Sequence, residues 1–458
     1  MNRTQVENFD LDTLLDNGRW TLYQKLIVAL TACAVVFDGL DIQIVGFAIP
    51  AIARDWGLAK SMFASVLAAG LFGVAIGSAL GGLIGDRIGR RSALIVSVFV
   101  FAASTFGMSA THSLAPLLFL RLCAGLGIGG ALPNAATLTS EYTPLRQRPL
   151  ATTLAIICIP VGGVVAGTIA SALLGTHSWR LLFVIAGTLP LALAVLLFIF
   201  LPESPRFLAR KGGNSARLEK ILRRIDRPVN GLSEKMLYDV AQAKSTMCGL
   251  RTFFAGPQLR DTFGLWAAFF FCLLTVYLVF NWLPSVLTAI HFTSKEASQG
   301  LTLYNVGGIL GAISVGWWIT YRGSRIPMLL CAVVAIASGL GAAVLLHVPG
   351  ASHSTALLMI GLHGLAVNAV QTTLYALATH MYPTSIRSTG VAFALAVGRC
   401  GAIVSAYLGA KLLLVPASVY FVILASTSAV AAIAIAIIRN HIAAREQTPA
   451  STLPPVLE

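Results

Sequence analysis

Charged residues are scarce in this sequence. Only 11% of its 458 residues are Asp, Glu, Lys or Arg, whereas 57% are hydrophobic, and a soluble domain usually carries about a quarter charged residues. The sequence also has no polar block long enough to fold as a second, soluble domain. The shortage of charge therefore indicates that most of the chain lies in lipid.

The sequence also lacks the common signatures of soluble enzymes. It contains no P-loop, no Gly-x-Ser-x-Gly, no His-Glu-x-x-His and no dinucleotide-binding fingerprint. Its seven cysteines include no Cys-x-x-Cys pair, which argues against a disulfide framework and against a metal site. We therefore expect neither an enzyme nor a cofactor, and any transport must use an ion or substrate gradient.

The sequence does contain long hydrophobic runs. A membrane-spanning helix needs about 20 apolar residues, and the sequence predicts twelve, at 26–50, 62–84, 92–111, 115–139, 150–173, 180–201, 263–289, 300–320, 326–347, 354–380, 388–410 and 416–438. The predicted fold is an all-α membrane protein, with a first six-helix bundle at 26–201 and a second at 263–438. A connector at 202–262 and tails at 1–25 and 439–458 complete the domain prediction.

The basic residues predict an orientation. The net charge is +14, and 25 of the 32 Lys and Arg residues fall in segments on the side of the two termini. The segments on the other side hold four: Arg54, Lys60, Lys295 and Lys411. By the positive-inside rule both termini are cytoplasmic, in the inner (plasma) membrane. The basic excess is thus a membrane orientation signal, and nucleic acid is excluded as a partner. The first span follows an acidic segment without the features of a signal peptide, so we expect it to be retained.

Small residues and ionisable residues stand out within the spans. The segment 121–130 carries four glycines, which allow helix backbones to approach closely in lipid. Asp38 and Asp41 are three residues apart in the first span, so a helix places them on one face. Two carboxylates so close in a poorly solvated site cannot both be charged at low cost. One of them is expected to bind and release a proton; a purely structural carboxylate neutralised by Arg121 is the alternative.

Two arginines also lie in spans, and a guanidinium keeps its charge and suits a carboxylate partner. No acidic residue occurs between Glu296 and Glu446, so Arg399 must pair with Asp38 or Asp41 across the bundle or with a bound anion. An anionic substrate is the simpler interpretation. For Arg121, an acid of the first half and the substrate are equally good partners.

Aromatic and amide side chains of the second half complete the candidate substrate site: Tyr277, Asn281, Gln371 and Tyr375. Aromatic faces can stack on a ring, although most such residues serve packing. His363, a lone histidine in the tenth span, is interpreted as a structural residue.

Residues 82–91, Gly-Leu-Ile-Gly-Asp-Arg-Ile-Gly-Arg-Arg, resemble the loop signature between the second and third helices of the major facilitator superfamily. The sequence Leu-Pro-Glu-Ser-Pro-Arg-Phe-Leu at 201–208 also looks like superfamily members. This resemblance implies that a charged latch at the cytoplasmic side controls gating. The residues assigned to it are Asp86, Arg87, Gly89, Arg90 and Arg91.

A narrower resemblance is to the aromatic acid:proton symporter family, including its hydroxyphenylpropionate and 4-hydroxybenzoate transporters. It rests on residues 38–41, 129–142, 281–284, 382–390 and 397–402, which span both halves. The resemblance implies functional roles for Asp38, Asp41, Arg121 and Arg399, and a role in proton coupling for Glu141.

Two departures from superfamily patterns bear on the mechanism. The loop at 321–325 lacks the acidic residue of the second-half repeat, so we expect that latch to be weaker or built differently. The fifth span lacks the Gly-Pro-x-x-Gly-Gly element of drug/proton antiporters, which favours uptake over efflux.

The residues predict a proton-coupled importer of an anion that acts as a monomer by alternating access. The resemblance implies that this anion is an aromatic carboxylate such as a benzoate or hydroxyphenylpropionate. A porter of a non-aromatic carboxylate or a sugar is the principal alternative. A membrane sensor of aromatic acids is a weaker one, because neither the tails nor the connector is large enough for a signalling domain.

Overall fold

The computed structural model describes residues 11–175, 177–211, 215–226, 258–346, 352–382 and 387–444. All its longer elements are helices, here α1 to α15 in chain order. The first six-helix group is α2 (Leu22–Trp56), α3 (Ala64–Ile88), α4 (Arg90–Met108), α5 (Leu114–Tyr142), α6 (Arg148–Leu173) and α7 (Trp179–Phe200). The second is α10 (Gln258–Ala289), α11 (Ser294–Arg322), α12 (Arg325–Leu345), α13 (His353–Met381), α14 (Arg387–Leu412) and α15 (Ala417–Ile437). Three short helices lie outside these groups: α1 (Leu11–Asp16), α8 (Pro205–Lys211) and α9 (Ser215–Arg224).

Twelve helices of the described part of the chain are long and apolar enough to cross a membrane, which confirms the predicted all-α fold and span number. Several helices extend beyond their predicted spans. In α2, a capping box between Thr21 and Gln24 satisfies the first turn, and Gly57, with φ 64°, ends the helix. Its 35 residues span about 52 Å at 1.5 Å per residue, so polar turns project beyond the apolar core at both ends.

The predicted domain limits stay predictions. Residues 227–257 of the connector, 1–10 and 445–458 of the tails, and 383–386 lie outside the described residues. We call α2–α7 the first half and α10–α15 the second half. The face of the bundle where α2 begins and α15 ends is called the terminal face.

Glycines set the distance between α3 and α5. A Cβ on Gly77 would collide with the carbonyl oxygen of Leu126, and a Cβ on Gly125 would collide with that of Gly70. The backbones of the two helices are therefore in direct contact, which is the usual close-packing device in lipid. The predicted packing role of the glycines in 121–130 is confirmed.

The two halves meet along α2, α3 and α6 on one side and α10, α11 and α14 on the other. Gly46 of α2 packs against the backbone of Phe280 and Asn281 in α10, leaving no room for a Cβ. Gln43 and Asn305 are buried and joined by two hydrogen bonds between their amides, of 2.8 and 3.3 Å. Lys60 donates hydrogen bonds to the Ser285 carbonyl oxygen at 3.1 Å and to Thr288 Oγ1 at 2.8 Å. These contacts close the halves against each other on the side away from the terminal face.

Candidate transport site

A cavity lies between the two halves and is lined by residues of both. Its lining residues sit in the middle of the spanning helices and in the parts nearer the terminal face, such as Leu132 in α5 and Gln371 in α13. The cavity is therefore at the level where halves of such a bundle present a ligand site, and it extends toward the terminal face.

Asp38 and Arg399 face this cavity from opposite halves. Among the residues that the structure describes, they are the one acidic and the one basic residue of its lining. Asp38 is 2% exposed, and its buried Oδ1 has no hydrogen-bond partner. A carboxylate buried without a partner is costly to keep charged, and protonation removes that cost.

Asp41, one turn beyond Asp38, has a different environment. Its Oδ2 accepts a hydrogen bond from Arg121 Nη1 at 2.8 Å, and its Oδ1 accepts one from the Thr105 hydroxyl. The Arg121 guanidinium also donates to the carbonyl oxygens of Asp41 and Ile42, each at 3.1 Å. Asp41 and Arg121 are 1% and 5% exposed, and neither lines the cavity. The two residues thus form a buried ion pair within the first half. Of the two partners considered for Arg121, the structure shows the acid of the first half.

Arg399 is half-buried, and no acidic oxygen of the described residues lies within the 4 Å of an ion pair. It donates one hydrogen bond, to the Tyr277 hydroxyl at 3.3 Å. Tyr277 and Tyr375 both line the cavity, and their rings are held edge-on by Phe280 and Phe269, with centroids 5.9 and 5.5 Å apart. The second half therefore offers a cation with free donors beside two fixed aromatic rings.

The structure brings Gln371 to the cavity but not Asn281. Asn281 is 3% exposed and packs where Gly46 touches α10, one turn from Tyr277 in the direction away from the terminal face. The first half packs on the α10 backbone at this level, although the side chain of the neighbouring Phe280 still lines the cavity. Asn281 therefore does not join the other candidate substrate residues.

Glu141 does not line the cavity either. It accepts a hydrogen bond from the Ser204 hydroxyl at the end of the first half, and Ser204 Oγ in turn accepts from the Phe207 amide at 2.9 Å to begin α8. Twenty residues of helix separate Glu141 from Arg121, about 30 Å at 1.5 Å per residue. The structure therefore does not bring Glu141 together with Asp38 and Asp41, the residues with which it was grouped for proton coupling.

The residues assigned to the charged latch cluster at the terminal face. Asp86 forms an ion pair with Arg90 and lies 3.6 Å from Arg210 of α8. Arg90 also donates to Asn134 Oδ1 at 3.3 Å, which ties the turn to α5. Arg87 is exposed.

Glu203 fixes the other side of this turn. Its Oε1 accepts from the backbone amides of Arg91 and Ser204, at 3.0 and 2.9 Å. Gly89 has φ 106°, and a Cβ there would collide with the Glu203 carboxylate, so both conformation and space favour glycine. The Leu-Pro-Glu-Ser segment and the loop signature thus form one unit.

The corresponding turn of the second half is held by the segment after α15. Ile442 accepts from the Ser324 amide at 2.9 Å and donates to Ser324 Oγ at 3.0 Å. Asp261 accepts from the amides of Arg439 and Asn440, both at 3.1 Å. Burial lowers the pKa of His441 in this segment. The Ser324 side chain and backbone and the Asp261 carboxylate thus hold the segment after α15 at this end of the second half. That this end forms a weaker or differently built latch stays a prediction.

Three polar residues between the halves were not anticipated: Gln43, Asn305 and Asn368. Gln43 and Asn305 bridge the halves, and Asn368 lines the cavity. An uncharged amide in a span is a weak signal, and their pairing depends on tertiary packing. His363 fits its structural interpretation, since its Nδ1 lies 2.9 Å from the Ala335 carbonyl oxygen.

Comparisons with known proteins agree with this architecture. The profile of the Major Facilitator Superfamily matches residues 31–365 and 265–456. The inward open xylose transporter XylE from E. coli has a TM-score of 0.71 and 18% sequence identity, covering 91% of this chain and 97% of that one. At this identity the likeness confirms the fold alone.

Three relatives are transporters of aromatic acids. The gallate transporter of Pseudomonas putida is 33% identical over 97% of this chain and 98% of its own. The 4-hydroxybenzoate transporter PcaK of Acinetobacter baylyi is 34% identical over 90% and 89%. The 3-(3-hydroxy-phenyl)propionate transporter of Escherichia coli is 31% identical over 85% and 87%. The chain belongs to the Major Facilitator Superfamily and is a multi-pass membrane transporter similar to those of aromatic acids.

Proposed function

We propose that this protein imports an aromatic carboxylate together with a proton by alternating access. One observation carries the proposal: Arg399 and Asp38 line the same cavity from opposite halves. Arg399 has no acidic partner among the described residues, and Asp38 Oδ1 has no hydrogen-bond partner. An anion satisfies Arg399, and a proton satisfies Asp38. The aromatic part of the proposal is supported by the named substrates of the relatives.

The substrate carboxylate binds Arg399, whose planar guanidinium has donors left after its bond to Tyr277. Tyr277 and Tyr375 flank the ring, and Gln371 provides a polar contact. Since Arg121 already donates to Asp41 and to two carbonyl oxygens, we assign it a structural role in orienting α2. The substrate role thus falls to Arg399.

Proton coupling falls to Asp38 rather than to both carboxylates. Asp41 has the Arg121 guanidinium and the Thr105 hydroxyl as partners, so its charge is compensated within the first half. Asp38 has no such partner and faces the ligand. Protonation of Asp38 removes a negative charge from the cavity, which favours entry of a carboxylate on the same side. Return to the outward state then requires both ligands to leave.

The terminal face is the cytoplasmic face in this proposal, because it collects most of the basic residues. The cavity on that side then belongs to an inward-facing state. The Lys60 and Gln43–Asn305 contacts close the outer side in this state. The cluster of Asp86, Arg90 and Glu203, with Glu141 beside it, guards the cytoplasmic side in the opposite state.

A porter of non-aromatic carboxylates or sugars is the competing function. The test is uptake of radiolabelled 4-hydroxybenzoate by membrane vesicles, in competition with benzoate, phenylpropionate, succinate and xylose. We expect inhibition by the two aromatic acids and none by succinate or xylose at equal concentration. Inhibition by succinate or xylose alone contradicts the proposal. A deletion strain with normal uptake but lost chemotaxis toward aromatic acids would favour the sensor.

A further inference from the structure

Helix α10 carries a row of polar side chains that runs outward from the cavity. Its members are spaced by four, four and three residues, which places them along one face of the helix: Tyr277, Asn281, Ser285 and Thr288. We call these four residues the α10 row. The row is about 16 Å long at 1.5 Å per residue, and it leads from the cavity to the side away from the terminal face.

A cation lies at each end of the α10 row. At the cavity end, Arg399 donates to the Tyr277 hydroxyl at 3.3 Å. At the outer end, Lys60 of the first half donates to Thr288 Oγ1 at 2.8 Å and to the Ser285 carbonyl oxygen at 3.1 Å. Like Arg399, Lys60 has no acidic oxygen of the described residues within the 4 Å of an ion pair. An anion can therefore satisfy the charge at either end.

Two side chains in the middle of the row have polar atoms without a partner. Asn281 Nδ2 and Ser285 Oγ are both buried, and neither makes a hydrogen bond with any described residue. Gly46 of α2 packs on the α10 backbone at the level of Asn281. Burying polar atoms without partners costs free energy, and separation of α2 from α10 would expose these atoms to water or to a ligand. The row therefore suits a second state, in which the halves part on this side.

We propose that Lys60 is an outer carboxylate-binding site, which takes the substrate before Arg399 does. The inference rests on the proposed function, in which the halves separate on the outer side to admit an aromatic carboxylate. That separation removes Ser285 and Thr288 from Lys60 and frees its ammonium group for the substrate carboxylate. The α10 row then offers hydroxyl and amide groups along the route from Lys60 to Arg399. Asn281, which does not line the cavity in this state, contacts the substrate on that route.

The alternative role of Lys60 is mechanical, as a lock that holds the outer side closed. The two roles predict different effects of Lys60→Gln on entry from outside. Loss of a lock alone favours the outward-facing state, and it lowers the KM for external substrate or leaves it unchanged. Loss of an anion site slows the capture of substrate and raises that KM.

The test is exchange of radiolabelled 4-hydroxybenzoate, at equal pH on both sides, in right-side-out and inside-out membrane vesicles. Electrostatic attraction raises association rates by about 10-fold or more. Lys60→Gln is therefore expected to raise the KM about 10-fold from the outer side and to leave it unchanged from the inner side, and Lys60→Arg should restore it. Lys295→Gln removes the same charge from an exposed lysine of the predicted outer side and should change neither KM.

Ser285→Ala tests the α10 row itself. It removes only a hydroxyl without a partner, so the free energy of unfolding should not fall, whereas the outer KM should rise several-fold. Ser298→Ala is the matched control outside the row, because its hydroxyl is equally buried but donates to the Ser294 carbonyl oxygen at 2.8 Å. It should leave the outer KM unchanged.

The results separate this inference from the proposed function. An outer KM that Lys60→Gln lowers or leaves unchanged overturns the inference and leaves the function intact. An equal rise from both sides also overturns it, because the substitution then acts on the inner site. If Lys60→Gln does not fold, an outer KM unchanged by Ser285→Ala overturns the inference. No exchange of 4-hydroxybenzoate or any benzoate by the parent protein overturns the proposed function, and the inference with it.

Discussion

Replacing Arg121 by methionine removes the cation from a fully enclosed ion pair. The guanidinium makes three hydrogen bonds, one of them to the Asp41 carboxylate at 2.8 Å. Methionine fills similar space but leaves Asp41, which is 1% exposed, without its compensating charge. Removing one member of a buried pair costs about 3–5 kcal/mol, so we expect Arg121→Met to lower the free energy of unfolding by about that amount.

Arg399→Met is the matched control in the other half. This arginine makes a single hydrogen bond, of 3.3 Å, to an uncharged tyrosine. Such a bond contributes about 1 kcal/mol or less to the free energy of unfolding. Its loss should leave stability nearly unchanged and abolish binding of 4-hydroxybenzoate. The two arginine variants are thus expected to have opposite phenotypes.

The measurement is unfolding of the purified protein in mixed micelles by increasing SDS, with substrate binding followed by calorimetry. The double variant Asp41→Leu/Arg121→Met should recover most of the stability, because an apolar pair leaves no buried charge. The loss in Arg121→Met alone should also shrink at acidic pH, because a protonated Asp41 needs no cation. An Arg121→Met protein as stable as the parent, with substrate binding lost, would refute the reasoning.

Three further changes test other parts of the structure. Gly77→Ala should destabilise the protein by about 1–3 kcal/mol through overpacking, because the new Cβ meets the Leu126 backbone. Gly82→Ala should not destabilise it, because a Cβ at Gly82 has no atom within 4 Å. Equal SDS unfolding curves for the two variants would contradict the close packing. Glu141→Gln should slow uptake without changing substrate affinity, because Glu141 contacts Ser204 and does not line the cavity; an affinity loss of about 10-fold or 1.4 kcal/mol in calorimetry would place it in the site. Asp261→Ala should speed hydrogen exchange of the Arg439 and Asn440 amides, which lose their acceptor. Unchanged exchange of these two amides would show that the segment is held otherwise.

Hydropathy and charge were sufficient to predict the twelve spans and the all-α fold, because lipid leaves few alternatives to helices. The isolation of Arg399 was also readable, since its half has no acidic residue that can reach it from a neighbouring span. The partner of Arg121 was not, because spacing along the chain does not specify which of several helices carries the nearest carboxylate.

Whether the remaining polar residues reach the site depends on their position along the helix axes. Asn281 is one turn from Tyr277 and shares its face by spacing, yet it is buried where Gly46 packs on α10 and does not line the cavity. The Gln43–Asn305 pair bridges residues 262 positions apart, and neither amide carries a charge to draw attention to it. Tertiary packing, which periodicity does not encode, determined both.

Gradient-driven uptake by proteoliposomes carrying Asp38→Asn tests the central claim most directly. The parent protein should accumulate 4-hydroxybenzoate when the outside is made acidic, and a protonophore should abolish the accumulation. Asp38→Asn, which mimics the protonated acid, should lose accumulation while retaining exchange of internal for external substrate. Accumulation by Asp38→Asn at the parent level, still dependent on the proton gradient, would contradict the account.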